Sequence, residues 1–257
     1  MQSILSRRAR QINTFDPVNR SHPLNQGCVG WWMTLPHSEG GGTWYDLMGA
    51  NHASFVGMNN TNSGWRSTTR PGGYGHVLFD GAALVQCRSG PILAGKPDWA
   101  IGAWILNGLP GFAGGRVIYS EGAGGTDIFK FNINENSGNP GFTMTLRNDA
   151  GNLAYFFGPT AIIDGAWHRG LAVYSGSTVN IYHNGRLDVT GNWSGPNNFT
   201  GPINSRIGGE VGGSFNGPID GVKLWTGNLL AISNQAAFAA FDYDQSRRGD
   251  PDTLNYL

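Results

Sequence analysis

Charge is scarce in this sequence. Charged residues make up 13% of its 257 positions, about half the usual share of roughly 25%. Lys plus Arg number 17 and Asp plus Glu number 17, so the net charge is zero and no general field for polyanions is expected, which argues against specific nucleic-acid binding. Two cysteines, Cys28 and Cys87, are too few for a disulfide framework or a four-thiolate zinc site. They read as two buried free thiols in preference to one bridge. No apolar run approaches the roughly 18 residues of a membrane helix. The opening MQSILSRRARQINTF has no apolar h-region, so a chain without an ordinary secretory signal is expected, either mature or released by a route such as phage lysis. No Gly-x-Ser-x-Gly elbow and no Walker loop occur. The six histidines lack the i, i+4 pairing of a zinc helix. His168, next to Trp167, reads as a sheet residue, and GGEVGG at 208–213 reads as a glycine-rich turn.

What the sequence does have is glycine (41 residues), proline (13) and 12% aromatics. From Cys28 onward, short apolar-aromatic runs alternate with Gly, Pro, Asn and Asp. The clearest are 28–35, 52–57, 76–79, 83–88, 99–106, 115–120, 127–133, 141–147, 152–157, 167–174, 177–183, 186–190, 203–208 and 215–225. Many short strands punctuated by turn residues predict two packed antiparallel sheets. No repeat of about 20–50 residues points to a propeller or solenoid. Asn184-Gly185 supplies the positive φ pair of a type I′ turn, so 177–190 is expected to form a hairpin, with Val179 and Ile181 on the core face and Asn180 and Tyr182 on the other. One short helix is expected at about 233–248, with Ser233 as N-cap and an apolar stripe of Ala236, Ala237, Phe238, Ala240 and Phe241. Gly249 and Pro251 then stop it. Residues 1–26 lack periodicity and read as an extended N-terminal arm, and 27–257 as one domain. Arg7, Arg8, Arg10 and Arg20 outweigh Asp16 within this arm, which gives it a basic character suited to a partner surface.

Several segments together resemble the concanavalin A-like lectin/glucanase superfamily, in particular its laminin-G-like jelly-roll domains. They are GWW at 30–32, TWYDLMGANHASFVG at 43–57, LFDG at 78–81, WAIGAWI at 99–105, WHRGLAVYSGSTVNIYHNGRLDVTG at 167–191, RIGG at 206–209 and FNGPIDGVKLW at 215–225. Their order matches the family over about residues 28–250. The resemblance implies an all-β, two-sheet antiparallel jelly-roll sandwich. The arm, the GWW start and the terminal SRRG-containing helix also resemble single-domain proteins of this family found in phages and prophages. The resemblance further implies a structural Ca²⁺ held by Asp220 of the closing strand, with Asp46 as second ligand. The sequence departs from the family at Gly221, where an acidic residue is usual. The alternative for both aspartates is turn capping through backbone hydrogen bonds.

The superfamily includes β-glucanases, which use paired carboxylates on one strand. Here Glu occurs only at 39, 121, 135 and 210, none with another acid two or four residues away, and Asp242 and Asp244 fall on a helix where i and i+2 diverge. The expectation is therefore a protein that is not an enzyme. For sugar binding, Tyr182 and Trp193 are the stacking candidates, with Asn197 and Asn198 in the loop GNWSGPNNFTGP as hydroxyl partners. The leading expectation is a virion structural protein, a capsid decoration component on the particle surface that self-associates and meets other coat subunits through its arm. The alternative is a glycan-binding adhesion module of an extracellular or cell surface that recognises polysaccharide.

Overall fold

The computed structural model describes residues 18–34, 41–59, 61–67, 75–106, 116–123, 126–133, 140–148, 150–162, 164–194, 203–210, 213–227 and 234–248. The strands in chain order are β1 (Cys28–Trp32), β2 (Thr43–Trp44), β3 (Ala53–Val56), β4 (Gly64–Arg66), β5 (His76–Asp80), β6 (Leu84–Ser89), β7 (Asp98–Leu106), β8 (Arg116–Ala123) and β9 (Thr126–Ile133). They continue as β10 (Phe142–Arg147), β11 (Leu153–Phe157), β12 (Trp167–Ser175), β13 (Thr178–His183), β14 (Arg186–Asn192), β15 (Asn204–Ile207), β16 (Gly209–Glu210), β17 (Gly213–Ser214) and β18 (Asn216–Thr226). A helix, α1 (Gln235–Arg247), follows.

Two eight-stranded antiparallel sheets form a jelly-roll sandwich. Sheet 1 runs β14-β13-β12-β7-β18-β5-β4, with β1 also paired to β18, and sheet 2 runs β11-β10-β9-β8-β15-β6-β3-β2. Every expected apolar run corresponds to a strand. Between the sheets lie Trp32, Trp44, Phe79, Trp99, Phe129 and Phe142, all buried. Cys28 and Cys87 are free and buried, and burial pushes the Cys28 thiol up to about 12, so both are inert core residues. The Asn184-Gly185 hairpin forms with positive φ at both turn residues, 49° and 77°.

The sequence of β7, DWAIGAWIL, reads as one continuous apolar run because sheet 1 is covered on both faces. Trp99, Ile101, Ala103 and Ile105 face the core between the sheets. Ala100 lies on the outer face, in a second cluster with Val18, Trp31, Leu171, Tyr182, Trp225 and Ala239. That cluster is capped by α1 and by residues 18–27. The described part of the arm therefore lies against the sandwich: Val18 and Leu24 are buried, Pro23–Asn25 form a 3₁₀ turn, and Trp225 Nε1 donates to the Leu24 carbonyl at 2.6 Å. Arg7, Arg8 and Arg10 lie outside the described residues.

The helix corrects the expected stripe. It starts after Asn234, which makes no side-chain cap bond, and its buried positions are Gln235, Ala239, Asp242, Gln245 and Ser246, whereas Phe241 is 39% exposed. The face is largely polar because two polar side chains of sheet 1, Arg169 and Asn180, meet it beside the apolar cluster. Arg169 on β12 donates from Nε and Nη2 to Asp242 (2.9 and 3.2 Å) and from Nη1 to the Gly221 carbonyl (2.7 Å), with both ionic side chains about 1% exposed. Asn180 on β13 donates to Gln235 at 2.6 Å. Gly102 makes room for the guanidinium and Gly221 supplies a carbonyl to it. A Cβ at Gly102 would stand 2.6 Å from Arg169 Nη2. Gly221, at φ 58° in the irregularity of β18, turns its carbonyl to Arg169.

Asp242→Ala would leave a buried guanidinium unpaired, and is expected to cost about 3–5 kcal/mol. The double variant Arg169→Met/Asp242→Leu should recover most of that loss, as read by urea denaturation.

Candidate functional site

The two expected sugar-stacking residues are in the core. Tyr182 is 3% exposed and packs in the cluster beneath α1. Trp193 is 7% exposed and belongs to the main core. The strand periodicity of β13 holds, but the face opposite the core is itself covered, so neither ring is available to stack on a sugar. Asn197 and Asn198 lie outside the described residues.

Asp46 and Asp220 do not form one site. They sit on opposite edges of β1: Trp32 pairs with Val222 of β18 on one side and bridges Asp46 on the other. Asp46 is buried, with Oδ1 accepting from the amides of Trp31 (2.8 Å) and Met48 (2.9 Å), and Oδ2 from those of Ala50 (3.1 Å) and Asn51 (2.9 Å). Asp220, fully buried, accepts from the Thr34 amide at 2.7 Å. A carboxylate engaged by four amides has little left for a cation, so this donor set does not fit a shared calcium ion. Among the described residues, no three His, Cys, Asp or Glu side chains gather as a metal cluster.

Glu121 on β8 is treated in the same way. Its Oε1 accepts from the amides of Ile92 and Leu93 (2.8 Å each) and from the Tyr119 hydroxyl (2.6 Å), and its Oε2 from the Ala94 amide (2.7 Å). Burial, and then the charge of Glu121, push the Tyr119 hydroxyl well above its ordinary value, so it stays a donor. Glu210 pairs with Lys130 at 3.1 Å. Asp242 and Asp244 diverge, the first to Arg169 and the second to Arg247 and Arg248. Glu39 and Glu135 lie outside the described residues.

The face of sheet 2 opposite the core carries a cross-strand row that sequence reading missed: Tyr155, Thr145, Lys130, Ser120, Arg206 and Gln86, on β11, β10, β9, β8, β15 and β6, of which Thr145, Ser120 and Arg206 are buried. Their strand neighbours Met144, Phe129 and Phe131 point into the core. The β16–β17 hairpin is fixed to the middle of this face by the Ser120 hydroxyl, which donates to the Gly209 carbonyl at 2.8 Å, and by the Lys130–Glu210 pair. Tyr155 is 45% exposed and lies nearly parallel to Phe157, with centroids 5.8 Å apart and planes 10° apart. The signal was available in LAYFF at 153–157, where alternation places Ala154 and Phe156 inward and leaves two aromatics outside.

A cleft of about 420 Å³ opens where the ends of β1, β6 and β18 meet the turns at 48–51 and 91–96. Its lining includes Arg20, Arg88 and Lys96. Elsewhere, at the β12–β13 end of sheet 1, His168 Nδ1 meets His183 Nε2 at 2.7 Å and His168 Nε2 meets Asp164 Oδ1 at 2.7 Å. Among the described residues no serine or cysteine completes this chain as a nucleophile. Burial, and then His168, hold the His183 imidazole below its ordinary 6.5. The His168 hydrogen bond, and then the Ala166 amide, hold Asp164 below 3.8.

A family model described as the concanavalin A-like lectin/glucanases superfamily matches residues 72–231, more than half of the chain. No curated protein matches the sequence. Solved structures resemble it in fold. Domain 4 of an extracellular GH43 arabinanase from Geobacillus stearothermophilus, in complex with arabinotriose, superposes at TM-score 0.59 with 12% identity, covering 82% of this chain and 98% of that domain. The Botulinum neurotoxin type G receptor binding domain gives 0.59 with 13% identity, over 86% of this chain and 52% of that one. Trypanosoma rangeli sialidase gives 0.58 with 12% identity over 96% of this chain, which spans only 39% of the sialidase. The same sandwich thus occurs in enzymes and in binding domains.

Asp46→Ala is expected to lower stability by about 2–3 kcal/mol through orphaned amides, equally in EDTA and in millimolar Ca²⁺, as read by chemical denaturation. The pH dependence has a defined sign. The unfolded chain takes up a proton at His183 near 6.5 while the folded chain resists it, so stability is full above that value and falls on acidification. Tm is expected to drop between about pH 7.5 and 5.5, and His183→Gln should flatten that drop in differential scanning calorimetry.

Proposed function

The chain belongs to the concanavalin A-like lectin/glucanase superfamily, and from that premise we propose that it is a non-catalytic, lectin-like module that binds a glycan chain across the outer face of sheet 2. The observation that carries this reading is the exposed Tyr155 ring, which lies parallel to Phe157 at the β11 edge. A flat, solvent-facing aromatic platform is the chemistry that receives a pyranose or furanose, because the ring covers the apolar face of the sugar. The likeness to a domain solved with arabinotriose supports the same class of ligand.

The non-catalytic part rests on the state of the described glutamates. Most glycosidases use two carboxyl groups facing a cleft, about 5–5.5 Å apart for retention or 6.5–9.5 Å for inversion. Glu121 is sealed beneath a turn and Glu210 is ion-paired.

Display on a virion, anchored through residues 1–26, ranks behind this reading. Residues 18–27 are built into the sandwich, which leaves only 1–17 to engage coat subunits or a second copy. The glycan reading holds in either setting, on a particle or on a cell surface.

Tyr155→Ala is expected to weaken retention on the recognised polysaccharide by about thirtyfold, the scale of an aromatic anchor worth roughly 2 kcal/mol. Tyr45→Ala, at an exposed ring packed edge-on to His52, should leave it unchanged. Affinity electrophoresis against a panel of arabinans, galactans and glucans reads both, and equal retention of wild type and Tyr155→Ala would remove this face from consideration.

A further inference from the structure

In a chain of zero net charge, a cluster of cations needs a reason. The cleft between the two sheets is lined by Arg20, Arg88 and Lys96, and among the described residues no acidic side chain lines it. Its walls are two turns, each pinned from beneath by a buried carboxylate. Asp46 receives the amides of Met48, Ala50 and Asn51, and Glu121 receives those of Ile92, Leu93 and Ala94. Both negative charges are thereby spent on backbone donors behind the walls, while the cations stand on the open side.

The partner of Arg88 there is neutral. Arg88 Nη1 donates to the Asn51 side-chain carbonyl at 3.3 Å, and Asn51 is itself anchored by its amide to the Val29 carbonyl at 2.8 Å. Arg20 Nη2 reaches the Met48 carbonyl at 3.4 Å. Among the described residues, Arg88 and Lys96 have no acidic partner. Between the cations the lining is apolar, with Val29, Met48 and Ile92. The volume, about 420 Å³, falls in the roughly 300–1,000 Å³ range of small-ligand sites. It suits one or two sugar rings and is far too small for a nucleic-acid duplex.

We propose that this cleft binds an acidic unit of a glycan, a sugar ring bearing a carboxylate or sulfate group. Arg88 and Lys96 take the anionic group, and the Val29–Met48–Ile92 wall takes the ring. That the carrier is a sugar rests on the carbohydrate-binding reading above; that the group is anionic rests on the cleft's own charges. The site is separate from the Tyr155 face.

Isothermal titration calorimetry on the full chain tests it with three probes: trigalacturonate for the carboxylate, a 6-sulfated galactotriose for the sulfate, and unmodified galactotriose. The expected result is binding of at least one anionic probe, weakened by added salt and by about tenfold in each of Arg88→Gln and Lys96→Gln. Tyr155→Ala should leave that binding unchanged, and galactotriose should not compete for the cleft. Which anionic probe binds identifies the group. The proposal falls if neither anionic probe binds, if binding survives in both Arg88→Gln and Lys96→Gln, or if inorganic sulfate displaces the trisaccharide at equal concentration. It also falls if a single-stranded oligonucleotide binds more tightly than either sugar. Loss of polysaccharide retention in Tyr155→Ala alongside failed anionic probes would overturn the cleft and leave the lectin reading standing. The reverse pattern would keep the cleft and overturn the Tyr155 face.

Discussion

The structure depends on how it neutralises carboxylates that water cannot reach. Asp46, Glu121, Asp220 and Asp242 are all sealed from solvent, and an uncompensated buried charge would cost several kcal/mol each. Asp46 is held by four backbone amides, Glu121 by three amides and the Tyr119 hydroxyl, and Asp242 by a guanidinium, while Asp220 accepts from the Thr34 amide. Each solution also performs an architectural task. Asp46 and Asp220 bind β1 on its two edges, Glu121 shapes the turn after β6, and Asp242 seats the helix on sheet 1. With so few charges in the chain, most of those buried are structural.

This distribution decides which surfaces remain for a ligand. The helix and residues 18–27 occupy the outer face of sheet 1, so rings that alternate toward that face, Tyr182 among them, become core. At the β11 edge of sheet 2, Tyr155 stays exposed and Phe157 half-buried. The cleft is a by-product of the carboxylate-pinned turns: holding 48–51 and 91–96 rigidly apart leaves a lined gap, with the cations at its rim. Rigid walls are what a shallow sugar site needs, because a saccharide offers little apolar area to offset the ordering of mobile loops.

Much of this was legible in the one-dimensional pattern. Short apolar runs between turn residues located the strands, Asn184-Gly185 located a hairpin, and the order of the aromatic motifs indicated the sandwich. These features are local, carried by alternation and by backbone preferences that neighbouring residues set. The helix shows where local reading stops. Its apolar residues form a plausible stripe, but the face that docks is Gln235, Ala239, Asp242 and Ser246, because the partner surface presents Arg169 and Asn180. Propensity and periodicity locate a helix; the groups opposite it decide which side turns inward.

The candidate sites were less legible for the same reason. Asp46 capping residues 48, 50 and 51 is a short-range pattern, and turn capping was one of its two sequence readings. The pairing of Arg88 with Asn51, and the approach of Arg20 and Lys96 to the same cleft, require β1, β6 and β18 to be in place first. What the sequence by itself determined was the strand set, the sandwich and its family, since these follow from local hydrophobic period and turn chemistry. Only the tertiary structure decided which aromatics are exposed, which carboxylates are spent on amides and which cations converge, because each is set by contacts between residues far apart in the chain.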